Sequence, residues 1–336
     1  MLKRILIGIA LVGVLLAVAC NPKPTGTITL RLGYFPNITH SQPIVGLAKG
    51  IFKEDLGPNV NLATITFNAG PSEIEALFAN QIDAGYIGPS PAINGYVKSQ
   101  GKALRILAGA TSGGALFVTK PNIQKVSDLK GKVLSSPQLG NTQDVALRNF
   151  LLNNGLVPDK DVIIKPAANS DILNLFKRGD IDGAWVPEPW GTRMLIEGNG
   201  RLFLDERTLW PDGLFSTAVL IVNTDFMSKH PEVVETLIKA SVDTTMWIKG
   251  NPQESIKIVA NEISAMTGVD MSEDLVGGAW GNMDVTYDPI VSSIQSFADA
   301  AFVLGFLGDT KPDLGEICSL NLLNKVLGSE GLPEVK

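Results

Sequence analysis

Four short stretches of this sequence place hydrogen-bonding side chains beside prolines and helix-starting residues. They are Asn37-Ile38-Thr39-His40-Ser41, Gly88-Pro89-Ser90-Pro91, Gln138-Leu139-Gly140-Asn141-Thr142-Gln143, and residues 180–191, which read DIDGAWVPEPWG. The first three combine amide or hydroxyl groups with backbone N–H groups that a starting helix leaves unpaired. A helix start carries roughly half a positive charge, so such loops hold anions without any lysine. The candidate contacts are Asn37, Thr39 and His40, then Pro89 and Ser90, then Gly140, Asn141, Thr142 and Gln143. The competing reading is that Ser90 and Asn141 only cap their own helices.

The fourth stretch has a different chemistry. Trp185 and Trp190 offer flat, slightly polar walls, and Tyr86 is placed to face them. Glu188 only accepts hydrogen bonds when ionised, so it wants a ligand amine, N–H or hydroxyl. A zwitterion with a sulfonate at one end and an amine at the other satisfies both kinds of loop. A flat heterocycle stacked between the rings satisfies the aromatic one. The alternative is that the tryptophans fill a core and Glu188 pairs with Arg193. His40, one of two histidines, is read as a ligand contact whose charge responds near neutral pH; the other reading is an exposed loop residue.

Catalytic chemistry has no comparable support. The order and context of the serines, histidines and aspartates support no nucleophilic triad. Of the two cysteines, Cys20 and Cys318, Cys318 is alone if Cys20 carries lipid, which leaves neither a disulfide framework nor a cysteine metal site. No cofactor, metal or catalytic residue is expected.

The opening MLKRILIGIALVGVLLAVAC has a charged start, an apolar run from Ile5 to Ala19, and small residues leading into Cys20. The run is short for a membrane span, which takes about 20 apolar residues, and fits a secretory signal. Its end resembles the lipobox of bacterial lipoproteins, which implies cleavage before Cys20 and lipid on its thiol. The alternative is a plain secretion signal. NPKPTG at 21–26 then reads as a tether. Without Lys3 and Arg4 the chain keeps 26 basic against 34 acidic residues. With no basic tract, nucleic acid and anionic lipid are poor partners. Repulsion from the net negative charge is screened over about 8 Å at physiological salt, so local donors can still hold an anion.

From residue 27 onward, strands alternate with helices of 8 to 14 residues, which calls for a mostly parallel sheet. Helix starts are read at Pro43, at Ser72 with Glu75 as a capping box, and at Ser90 with Pro91 in first position. The pattern restarts near residue 115. LFANQIDAGYIGPSP (77–91) and LFKRGDIDGAWVPEP (175–189) run in parallel, matching Asp83 with Asp182 and Tyr86 with Trp185. Two similar α/β lobes follow, and the largely helical segment after residue 216 is expected to return over the first. The expected organisation is a signal at 1–19, a tether at 20–27, lobe 1 from 28–112 plus 220–330, and lobe 2 from 113–219. The crossings fall near residues 109–115, where Ser112-Gly113-Gly114 is permissive, and near 215–222.

LGYFPNITHSQPIVGLAKGIF, FNAGPSEIEALFANQIDAGYIGPSPAINGY and LKGKVLSSPQLGNTQDVALRNFLLNNGL together resemble the solute receptors of ABC importers. The resemblance is to the group that binds aliphatic sulfonates, taurine, nitrate and thiamine precursors, and it covers residues 28 to about 320. It implies a two-lobe periplasmic-binding-protein fold of type II, with the ligand cleft between lobes joined by two crossing segments. It further implies a monomeric, lipid-anchored receptor outside the cytoplasmic membrane that delivers a small organic anion to a permease and its ATPase. A thiamine pyrimidine, riboflavin, nitrate or bicarbonate is the alternative ligand, and a sensor module the alternative role. A pyrimidine-synthase-like enzyme is disfavoured, because the cysteine-rich segment of those relatives has no counterpart here.

Overall fold

The computed structural model describes residues 26–336. The signal segment, Cys20 and nearly all of the tether lie outside the described residues. The strands are β1 (Ile28–Tyr34), β2 (Val60–Thr66), β3 (Ala84–Ile87), β4 (Leu104–Gly113), β5 (Ala115–Thr119), β6 (Val133–Pro137), β7 (Ile163–Ala167), β8 (Gly183–Pro187), β9 (Arg201–Asp205), β10 (Ser216–Asn223) and β11 (Met283–Val285). They form a six-stranded sheet in the order β11-β4-β10-β3-β1-β2 and a five-stranded sheet in the order β7-β6-β8-β5-β9. Strands β1, β2 and β3 run parallel, with β10 antiparallel between β3 and β4. In the second sheet β7, β6 and β8 are parallel, and β5 runs antiparallel to β8 and β9. Every residue of β3, β5, β8 and β10 is buried, as expected where helices cover both faces of a sheet.

The repeat in the sequence has a structural cause. Asp83 N–H donates to the Arg31 carbonyl, and its carboxylate accepts from Arg31 N–H, both at 2.9 Å. Asp182 does the same with Val133, at 2.7 and 2.9 Å. Each aspartate therefore locks the start of one strand to its parallel neighbour. Tyr86 and Trp185, three residues on, are each fully buried.

Two connections join the sheets. In the first, β4 ends at Gly113 and β5 begins at Ala115, with Gly113 and Gly114 at φ +73° and +75°, a region only glycine enters cheaply. The second runs from Asp205 to Ser216 through two short 3-10 turns. All of β10 belongs to the six-stranded sheet, so the chain has already returned by Ser216, ahead of the expected boundary at 219/220.

Two expected helix starts shift. The helix Gly70–Phe78 begins before Ser72, whose hydroxyl donates to the Ala69 carbonyl at 2.8 Å, so the Ser72/Glu75 capping box does not form. The helix Pro89–Lys98 starts at Pro89 with Gly88 as its N-cap, two residues ahead of the expected Ser90 cap. In both, proline's fixed φ suits the first turn and sets the boundary. The long helix Pro231–Gly250 returns over the six-stranded sheet, and Ser241 on it meets the Tyr86 hydroxyl at 2.8 Å.

Candidate functional site

Between the C-terminal ends of the parallel strands the two sheets enclose a cavity of about 20 Å³. From the six-stranded side it is lined by Phe35, Asn37, Thr39, His40, Asn68, Gly88 and Thr217, and from the five-stranded side by Asn141, Gln143, Asn169 and Pro187. Among the described residues no lysine, arginine, aspartate or glutamate lines it. Its polar groups are neutral amides, hydroxyls and one imidazole.

The imidazole is held in one protonation state. His40 ends a 3-10 turn, Ile38–His40, and its ring stacks on Phe35 at 4.4 Å between centroids. Nδ1 accepts the Phe35 N–H at 3.2 Å, so Nε2 carries the hydrogen. Burial lowers its pKa to about 3. The expectation of a charge that responds near neutral pH is therefore corrected: His40 is a neutral donor, and it is not an exposed loop residue. The turn itself is tied to β4 by the Thr111 hydroxyl, which donates to the Thr39 carbonyl at 2.7 Å.

Helix starts converge on the same space. The helices Pro89–Lys98, Thr142–Asn153 and Asn169–Arg178 begin beside Gly88, Asn141 and Asn169. Asn141 occupies the N-cap position with extended backbone but does not cap its helix with its side chain. It instead contacts Gln143 Oε1 at 3.4 Å. The capping-only reading of Asn141 is therefore not what its side chain does, and the first N–H groups of that helix have no intrahelical acceptor. Asn169 Oδ1 is buried with no hydrogen-bond partner. An unsatisfied buried carbonyl costs about 1–3 kcal/mol, so it marks a place where a donor belongs.

Other expected contacts sit elsewhere. Trp185 is in the core of the five-stranded unit, stacked on Phe117 at 5.3 Å, with Nε1 donating to Glu206 at 2.6 Å. Tyr86 is in the other core, bonded to Ser241. Neither ring walls the cavity. Both faces of these sheets are covered, so a strand's apolar residues do not reveal which way each ring turns. Glu188 is fully buried and saturated: it accepts from Thr192 N–H at 2.9 Å, Thr192 Oγ1 at 2.8 Å and Asn282 Nδ2 at 2.6 Å. It caps the helix Trp190–Ile196 and ties it to the loop before β11, leaving nothing for a ligand amine. Burial raises its pKa above the ordinary carboxylate value. The alternative pairing with Arg193 is also absent, since Arg193 binds Glu197 at 2.5 Å and covers the Trp190 ring.

Trp190 holds an intermediate place. It is nearly buried, yet its Nε1 donates to Asn37 Oδ1 at 3.1 Å across the cleft. It also lines an outer chamber of about 240 Å³ with Thr66, Met266 and Val269, which shares Asn37, Asn68 and Asn169 with the inner cavity. Thr142 and Ser90 meet where the two units touch: Ser90 N–H donates to Thr142 Oγ1 at 3.3 Å, and Ser90 Oγ is buried without a partner. A Cβ on Gly88 would collide with that same hydroxyl. Gly140 donates its N–H to Asp144 at 2.9 Å. Pro89, Ser90, Gly140 and Thr142 therefore shape the cavity's surroundings rather than line it.

Phe35, Asn68, Asn169, Pro187 and Thr217 are lining residues that sequence reasoning missed. Asn68 and Asn169 follow strands β2 and β7, so the rule that sites gather at strand C-terminal ends would have found them. Thr217 lies on the antiparallel β10, and nothing local in the sequence places it there.

The NMT1-like family matches this chain over residues 23–264. The "Taurine-binding periplasmic protein" of Escherichia coli (strain K12) is 28% identical over 254 residues, 74% of this chain and 76% of that protein. Among solved structures, the alkanesulfonate-binding protein SsuA from Xanthomonas axonopodis pv. citri bound to MOPS superposes with a TM-score of 0.70 at 19% identity. It covers 84% of this chain and 96% of that one. The periplasmic nitrate-binding protein NrtA from Synechocystis PCC 6803 gives 0.74 at 16% identity, covering 92% and 90%. These likenesses show the two-lobe fold.

Proposed function

The chain belongs to the NMT1-like family, and on that premise we propose that it is the solute-binding component of an ABC importer. It captures a small sulfonate-type organic anion, closes on it, and hands it to a permease driven by an ATPase. It does so outside the cytoplasmic membrane as a monomer tethered through lipid on Cys20, and it performs no catalysis. The lobes are 28–113 plus 216–330 and 115–205, rotating about the two connections described above.

The observation that carries this reading is the cavity itself. It is lined by neutral donors, faced by three helix starts, and has no lysine or arginine among its described residues. Such a site stabilises a single negative charge through fixed dipoles in a dry space. The sulfonate head takes the His40 Nε2 hydrogen, Asn37 Nδ2 and the N–H groups at Thr142 and Gln143. Asn169 Oδ1 takes a donor from the ligand, the role sequence reasoning assigned to Glu188. The tail leads into the outer chamber beside Trp190 and Met266. Removal of Tyr86 and Trp185 from the walls argues against a stacked heterocycle.

One observation favours a second reading. The cavity, about 20 Å³, is small, which favours a compact anion such as nitrate or bicarbonate. Calorimetric titration of the purified protein with taurine, short alkanesulfonates, nitrate and bicarbonate separates the two. Saturable binding of a sulfonate supports the first reading, and binding of the inorganic ions alone supports the second. If no anion binds, the receptor assignment fails.

A further inference from the structure

A second cavity, of about 470 Å³, opens away from the cleft between the helices Thr142–Asn153 and Val291–Val303 and the connection after β9. It is within the size range of small-molecule sites. Its walls are aromatic, from Phe150, Trp210 and Phe297, with Asn149 and Asn153 at one side. At its base lies Glu206, 1% exposed. This carboxyl accepts one hydrogen bond of good geometry, from Trp185 Nε1 at 2.6 Å. The Trp210 indole nitrogen lies close enough to favour the carboxylate but is buried without a hydrogen-bond partner of its own. No cation offsets the charge: neighbouring Arg207 is turned to Asp205 at 2.6 Å, and no lysine or arginine lines the cavity among the described residues.

We propose that this cavity is a second ligand site, for a flat aromatic cation. The three rings supply stacking and cation–π faces, and Glu206 supplies the counter-charge. A buried carboxylate without a partner cation is costly to ionise, and an amidinium or protonated aromatic amine beside it removes that cost. An organic anion is excluded by the same group, so the two sites select ligands of opposite charge. Burial pushes Glu206 up to about 8, with Asp205 the charged neighbour acting in the same direction. The free acid therefore holds its proton at neutral pH, and binding of a cation beside it favours release of that proton to solvent. The site does not depend on the identity of the cleft ligand.

Benzamidine is the probe, with benzamide and benzoate as neutral and anionic counterparts, each titrated into the whole purified protein by calorimetry. We expect saturable 1:1 binding of benzamidine, at least tenfold weaker binding of benzamide, and none of benzoate. Glu206→Gln, which keeps an acceptor for Trp185, lowers benzamidine affinity at least tenfold. Asn153→Trp, at an exposed position and therefore tolerated by the fold, abolishes it by filling the opening. Circular dichroism confirms that both variants are folded, and anion binding in the cleft is unchanged in Asn153→Trp. Absence of saturable binding, benzoate binding as tightly as benzamidine, or equal affinity in both variants overturns the proposal.

Discussion

The indole Nε1 of Trp190 donates to Asn37 Oδ1 at 3.1 Å, joining two residues 153 positions apart in the chain. Asn37 follows a strand of the six-stranded sheet and Trp190 follows one of the five-stranded sheet, so the bond spans the cleft and should stabilise its closed arrangement. It also turns the Asn37 Nδ2 group toward the cavity. Trp190→Phe removes the donor and keeps most of the ring. A hydrogen bond of this kind is worth about 0.5–1.5 kcal/mol, so we expect anion affinity to fall roughly two- to twelvefold. Titration checks the affinity, and small-angle scattering should show a larger unliganded radius of gyration.

Gly88 tests closure by bulk rather than by bonding. An added methyl there meets the Thr142 hydroxyl of the facing unit. Gly88→Ala should therefore hold the lobes apart and weaken anion binding by tenfold or more, while the thermal midpoint without ligand changes little. A large loss of midpoint with intact affinity would contradict this account.

Asn169 and Glu188 separate binding from stability. Asn169→Ala removes a buried oxygen that has no protein partner, so affinity for an amine-bearing sulfonate should fall while stability holds or rises. Glu188→Gln disturbs an acceptor satisfied by Thr192 and Asn282. It should cost about 1–3 kcal/mol of stability and alter ligand discrimination little. Paired denaturant and titration curves for the two variants check the contrast.

Two buried groups give opposite dependences on pH. His40 has its pKa lowered from 6.5 to about 3 by burial. As pH falls from about 6.5, the unfolded chain takes up a proton that the folded one refuses, so stability is lost between about 6.5 and 3. Above 6.5 this contribution is fully present, and anion affinity should not follow a histidine titration between pH 5 and 8. His40→Gln should flatten the acid side of the midpoint-against-pH curve.

Glu73 acts in the other direction. It is fully buried beneath Gly33 and Gly85, both carboxyl oxygens lack partners, and burial raises its pKa well above 4.5. The unfolded chain loses this proton first as pH rises, so stability is present below about 4.5 and declines above it. Glu73→Gln should match the parent near pH 4.5 and exceed it at pH 8. Coincident midpoints across that range would show that Glu73 does not carry the effect.

Much of the architecture was readable because its causes are local. Alternating apolar runs, prolines in first turns and glycines at helix ends marked the strands and helices and the two-lobe order, and strand ends pointed to Asn37, Thr39, His40, Asn141 and Gln143. The Asp83/Asp182 repeat was also visible, since the same backbone lock recurs in each sheet. The sequence misled on Tyr86, Trp185 and Glu188. In sheets covered on both faces, ring direction is not encoded by alternation, and a glutamate's partners, such as Asn282 at a separation of 94 residues, cannot be seen locally.

By itself, then, the sequence determined the periodicities that make two α/β units, and the loops at the ends of their strands. Only the tertiary structure decided which of those loops share one cavity, that its donors are neutral, and that Asn169 rather than Glu188 is left without a partner. The physical reason is that hydrogen-bond satisfaction is settled between groups far apart in the chain, such as Asn37 and Trp190 or Glu188 and Asn282, after each local element has already formed.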